Sequence, residues 1–242
     1  MGAPGEPSGA LVTDIRRPLL VALVTTLMIT ALSYGLPEDY AATGVGLCFL
    51  LVVHRVVLRD ADGTTVRRFG IALGGLLEPE PIDWRHALRD FTRAVLAALV
   101  VALVVFPPFA AGWFLWYAPK TGFSPPALTD LTHEAMGQLL VIALPEEAFY
   151  RGYLQRAFDD AWPPRTRLLG AHLGPGLLLA SLLFALGHVL TQPYPQRLAV
   201  FFPALMFGWL RAKTGGIGAS VCLHAMSNLF ASYLALSYGL RA

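Results

Sequence analysis

The chain has 242 residues, 55% of them hydrophobic and only 14% charged. Soluble domains carry about 25% charged residues, and here the apolar residues come in long blocks, so a water-soluble enzyme is a poor reading. The net charge is only +2, and the arginines sit in short groups that flank apolar spans, which is no nucleic-acid-binding face.

A bilayer core of about 30 Å needs about 20 apolar residues of helix. Seven stretches meet or approach this: 18–36, 40–58, 93–117, 131–156, 174–190, 196–212 and 216–239. The first follows Arg16 and Arg17 as a signal peptide would. It has the length of a full span, however, and Leu36-Pro37-Glu38-Asp39 offers no small-residue cleavage site, so a retained helix is expected. In the connector 59–92, Asp83–Phe91 places Trp84, Leu88 and Phe91 on one helical face. That predicts an interfacial amphipathic helix leading into the third span.

The cations orient the spans. With the N-terminus inside, 15 of the 18 Lys and Arg face inward, and only Lys120, Arg197 and Arg241 face outward. This asymmetry predicts a multi-pass protein of the cell inner (plasma) membrane with a cytoplasmic N-terminus and an external C-terminus. The count becomes eight if a re-entrant or interfacial segment hides near 174–190 and 196–212. The fold class expected is all-α, a polytopic bundle. Its divisions are a tail 1–17, N-terminal helices 18–130 around the inner loop 59–92, a helical core 131–232 and a tail 233–242. Cys48 and Cys222 lie alone in apolar segments and read as small buried hydrophobes.

A charge in the middle of a membrane helix costs at least about 2.5–3.5 kcal/mol, so such residues tend to face the protein interior and mark function. The fourth stretch carries Pro145-Glu146-Glu147 inside an apolar run. Glu147 and Arg151 are four apart with Glu first, the favoured order for a helical ion pair. Glu146 points about 100° away and is left free as a candidate general base. Pro145 also frees a carbonyl one turn earlier. The fifth stretch contains Phe184-x-x-x-His188, and the seventh His224-x-x-x-Asn228, whose members share one helical face. Each His alone reads as a packing residue; three such helices in succession do not.

Glu146-Glu147-x-x-x-Arg151, Phe184-x-x-x-His188 and His224-x-x-x-Asn228, in this order over about residues 130–232, resemble the CPBP (CAAX protease and bacteriocin-processing, or Abi) family of intramembrane proteases. The resemblance implies a site between helices and cleavage near the C-terminus of a protein or peptide substrate. It implies that Glu146, assisted by His188, activates water, while His224 and Asn228 face the oxyanion. Glu147 and Arg151 support, with Phe184 beside them. No cofactor is expected. The alternative is one divalent ion such as zinc, held by Glu146, His188 and His224 with water as the fourth ligand. His133-Glu134 starts a zincin-like pattern, but position 137 is Gly. His54, His86 and His172 read as interfacial residues. Ser181 and Ser227 have no evident base.

Counting rise along the helices leaves one inconsistency. Glu146 and His224 fall about 10–12 Å from the inner face of the core, whereas His188 falls about 21 Å from it. The partners expected are a substrate with a C-terminal processing signal and membrane lipid, with no nucleic acid. Residue usage rich in Ala, Gly, Arg and Leu reads as that of a GC-rich bacterium, where an unprenylated tail is the better substrate. A sorting-type tripartite tail, as in the myxosortase-like branch, competes with a bacteriocin leader. A non-catalytic membrane scaffold or immunity protein, and a proton-coupled transporter, are the other readings.

Overall fold

The computed structural model describes residues 14–240; the tail before residue 14, Arg241 and Ala242 lie outside the described residues. All seven apolar stretches are helical, and the sheet content is one small hairpin. The chain is therefore an all-α membrane bundle, as its composition predicts.

Helix α1 (Arg16–Gly35) turns at Leu36-Pro37 into α2 (Glu38–Val53), which runs on through a π turn at His54–Leu58. Helix α3 (Gly63–Phe69) is short. The Asp62 carboxylate accepts from Thr65 N at its start, and Gly70 closes it with a φ of 71°. Helix α4 (Trp84–Tyr117) is 34 residues long and is capped by the Asp83 side chain, which accepts from Arg85 N and His86 N. The expected amphipathic helix is thus the first turns of the third span. Nothing between Phe91 and Ala94 breaks the helix, and Trp84, Leu88 and Phe91 remain 60–69% exposed on its outer face.

The fourth stretch is continuous from 128 to 161. It comprises α5 (Leu128–Met136), a π stretch Gly137–Ala143, α6 (Leu144–Glu147), a second π stretch Ala148–Gln155 and α7 (Arg156–Ala161). Its C-terminal end lies five residues beyond the expected 156. A hairpin of β1 (Thr166–Leu168) and β2 (Ala171–Leu173) follows, pairing Arg167 with His172. Helix α8 (Pro175–Thr191), a 3-10 segment Pro195–Val200, α9 (Phe201–Thr214) and α10 (Gly218–Ser237) complete the chain. Among the described residues four helices, α1, the α2 run Glu38–Leu58, α4 and α10, are each long and apolar enough to cross a membrane. Helix α8 has 17 residues and α9 has 14, so the shortest limbs fall where the sequence placed the ambiguity in span count.

Packing draws the helices around the 137–155 stretch. Helix α1 lies on α8, α2 on both π stretches, and α4 along α10. Phe49 of α2 meets Phe149 and Tyr150 at ring distances of 5.1 and 5.6 Å, and Tyr150 meets Phe184 edge-on at 5.0 Å. One glycine decides how close α2 comes. A Cβ at Gly46 would sit 2.4 Å from the Val141 carbonyl oxygen. That carbonyl is four residues before Pro145, whose ring nitrogen has no proton to give it. The proline bares the carbonyl, and the glycine lets the neighbouring helix cover it.

Candidate active site

Glu147 and Arg151 form the ion pair their spacing predicts, with Arg151 Nη1 2.9 Å from Glu147 Oε1 and the side chains 0% and 1% exposed. The contact is charge to charge; Nη1 makes no aligned hydrogen bond. Nη2 instead donates to the Ala204 carbonyl of α9 at 3.2 Å. One turn on, Gln155 Nε2 donates to Gly208 O at 3.1 Å. The guanidinium lies 4.4 Å from the Phe184 ring centre and 5.3 Å from that of Phe207. A buried cation is thus neutralised by one carboxylate, held to a neighbouring backbone and faced by three rings, the third that of Tyr150 at 5.9 Å.

Glu147 does more than the sequence indicates. The same Oε1 accepts a hydrogen bond from His224 Nδ1 at 2.9 Å. A carboxylate can only accept, so the Nδ1 proton is fixed there and Nε2 is turned the other way. The His224 ring stacks on Phe207 at 4.8 Å with an interplanar angle of 13°, which fixes its plane. Nε2 then lies 3.9 Å from Glu146 Oε2, too far for a hydrogen bond. Glu146 Oε2 is buried without a hydrogen-bond partner, and the side chain is 13% exposed. A water in contact with both atoms would see them at an angle of about 90°, which suits its two hydrogen bonds.

His188 Nδ1 donates to the Phe184 carbonyl at 3.0 Å, one turn earlier on α8, so its Nε2 carries the lone pair. Phe184 lies between the two imidazoles, 4.4 Å from His188 and 5.8 Å from His224 by ring centres. The register of helix α8 against the fourth helix sets Glu146 and His188 side by side. Helix α8 runs antiparallel to 148–161, and Gly176 meets Asp159 while Phe184 meets Tyr150 and Arg151. From that register, Glu146 and His188 stand 13 and 12 residues above the Asp159–Gly176 contact. They are at one level because α7 continues to Ala161.

Asn228 lies one turn beyond His224 and does not reach the carboxylates through any hydrogen bond among the described residues. Its Nδ2 donates to Gln138 Oε1 at 2.8 Å. Gln138 and Tyr150 are the residues that sequence reasoning passes over. Tyr150 is one turn past Glu146 and buried, with its hydroxyl against Gly187, where a Cβ would sit 2.9 Å from it. The i+4 spacing from Glu146 was available as a signal; for Gln138 there was none.

Nδ1 of His224 and of His188 is bonded to Glu147 and to Phe184 O, which leaves both Nε2 atoms open, and no three His, Cys, Asp or Glu side chains are grouped closely enough to hold a metal among the described residues. Cys48 and Cys222 are buried and unpaired. Ser227 Oγ donates to the Leu223 carbonyl.

Residues 129–230 match the family model of the type II CAAX prenyl endopeptidase Rce1-like proteins. No curated protein and no solved structure matches the chain. The matched segment contains all three motifs and begins one residue into α5. The match is to the family as a whole and does not single out the sorting-type branch. This family consists of membrane proteases that act on protein substrates. Residues 129–230, which carry the two carboxylates, two imidazoles and an amide on three helices, are thus similar to the Rce1-like family of type II CAAX prenyl endopeptidases.

Proposed function

We propose that this protein is an intramembrane endopeptidase of the inner membrane that cleaves near the C-terminus of a membrane-associated substrate, with Glu146 as the general base. The observation that carries this reading is the pairing of a buried, unpartnered Glu146 Oε2 with His224 Nε2 at 3.9 Å, the imidazole being locked from behind by Glu147. Two adjacent carboxylates thereby divide the work. Glu147 gives its Oε1 to Arg151 and His224, and its Oε2 has no hydrogen-bond partner; Glu146 has no ion pair with Arg151, and its Oε2 faces His224 Nε2.

Glu146 takes the proton as water attacks the scissile carbonyl, with the Nε2 lone pair of His188 assisting. The developing oxyanion faces Asn228 and the Nε2 side of His224. The proton is then delivered to the leaving amine. Peptide hydrolysis balances with water alone, and no resident metal is invoked. A substrate tail carrying a motif, a hydrophobic helix and a basic end fits an inward-opening site behind arginine-rich inner loops, the N-terminus being cytoplasmic.

The test offers the purified protein a library of tagged C-terminal segments and compares it with Glu146→Gln. Cleavage by the wild type and none by a folded Glu146→Gln supports the endopeptidase. Equal behaviour of the two overturns it and favours a non-catalytic scaffold. Preincubation with a strong chelator leaves cleavage unchanged if the reaction uses side chains alone.

A further inference from the structure

Gln138 and Asn228 are 90 residues apart in sequence, yet their amides meet at 2.8 Å between the fourth helix and α10. In a regular helix, residue 138 would lie about 80° away from the face of residue 146, because eight steps make two turns and a remainder. The π stretch Gly137–Ala143 absorbs one extra residue. That brings the eight-residue step close to two whole turns and places Gln138 near the face of Glu146. On α10, Asn228 follows His224 by one turn on the same face. The two helices are therefore tied by two rungs, Glu147 to His224 and Gln138 to Asn228.

We infer that Gln138 is a positioning residue for the reaction, holding the Asn228 amide so that its remaining N–H is presented to the oxyanion. The inference rests on the reading of Glu146 as base and Asn228 as donor. An asparagine side chain has two N–H donors and one carbonyl. Its terminal torsion is broad and nearly two-fold, so an amide held by nothing presents oxygen about as readily as nitrogen. Oxygen turned toward an oxyanion repels it. Gln138 Oε1 accepts one Nδ2 proton, and in this pairing the second Nδ2 proton is left available. The π stretch explains why a residue so far before the motif can do this.

Turnover of a cleaved C-terminal segment by the full chain in detergent is measured for Gln138→Leu, Gln138→Glu, Asn228→Ala and the double variant Gln138→Leu/Asn228→Ala. The inference expects kcat to fall roughly 10-fold in Gln138→Leu with KM and melting temperature unchanged, a fraction of the loss that removal of an oxyanion donor brings. Gln138→Glu, which still offers an acceptor oxygen, recovers most of the rate. The double variant turns over no more slowly than Asn228→Ala alone, because Gln138 has nothing else to position. An unimpaired Gln138→Leu overturns the inference, as does a loss that multiplies with that of Asn228→Ala or follows the melting temperature. If Gln138→Leu does not accumulate, Gln138→Met serves the same comparison. Failure of the underlying reading is distinguishable: Glu146→Gln then cleaves like the wild type. When Glu146→Gln is dead and Gln138→Leu is not, only the role of Gln138 falls.

Discussion

Of the most apolar stretch of α4 only 11% is buried, against 44% for α10, although the two helices lie against each other. Helix α4 presents Leu103, Val104 and Leu115 outward at 71–85% exposure, and its apolar span carries no charged residue. Helix α10 buries Val221 through Ala225 and carries His224 among them. Lipid tails are as apolar as leucine, so a lipid-facing helix gains little from any particular side chain and cannot satisfy a polar one. An enclosed helix can hold an imidazole, because Glu147 and Phe207 supply a partner and a stacking face. The difference separates a helix that turns its apolar face outward from one that encloses part of the candidate site.

The comparison can be broken by substitution, and the largest effect belongs to the enclosed half. Arg151→Leu leaves Glu147 buried without its cation, a loss of about 3–5 kcal/mol. Melting in detergent should fall by about 10 °C or more; an unchanged melting temperature would mean the pair is not a structural tie. Gly46→Ala pushes a methyl group against the Val141 carbonyl, at a cost of about 1–3 kcal/mol. Hydrogen exchange should then rise around 137–145 before it rises elsewhere.

A smaller effect is expected at the inner rim. Burial pushes the Asp159 carboxyl up to about 6 from its ordinary 3.8, against the pull of Arg211 and Arg156, with Asp160 adding to the rise. Between those values the folded protein binds more protons than the unfolded chain, so stability falls as pH rises through about 4 to 6. Asp159→Asn removes this penalty and should add about 1–2 kcal/mol at pH 7, with the gain vanishing below about pH 4. Melting of both proteins at the two pH values checks it. The smallest effect is expected on the lipid-facing helix: Leu103→Ala should change stability by less than about 0.5 kcal/mol. A larger loss would show that α4 has a protein partner there.

What could be read from the sequence follows the same division. Glu146, Glu147, His188 and His224 stood out because a polar group in an apolar segment needs a reason, and the Glu147–Arg151 tie followed from i+4 spacing. The Glu147–His224 bond did not, since helical periodicity relates residues within one helix and is silent about which helices face each other. Gln138 was invisible for two reasons. A neutral amide draws little notice, and its offset from Glu146 looks wrong until the π stretch corrects it. The C-terminal end of the fourth helix lies five residues past the expected 156, because Arg156 to Ala161 reads as polar although the helix continues through it.

The division of labour between adjacent carboxylates is tested most directly by purifying Glu146→Gln and Glu147→Gln side by side and measuring melting and cleavage in each. The account predicts that Glu146→Gln melts like the wild type and loses about 1,000-fold or more of its turnover, while Glu147→Gln loses both stability and turnover. A folded Glu146→Gln that still cleaves, beside a stable Glu147→Gln that does not, would contradict it.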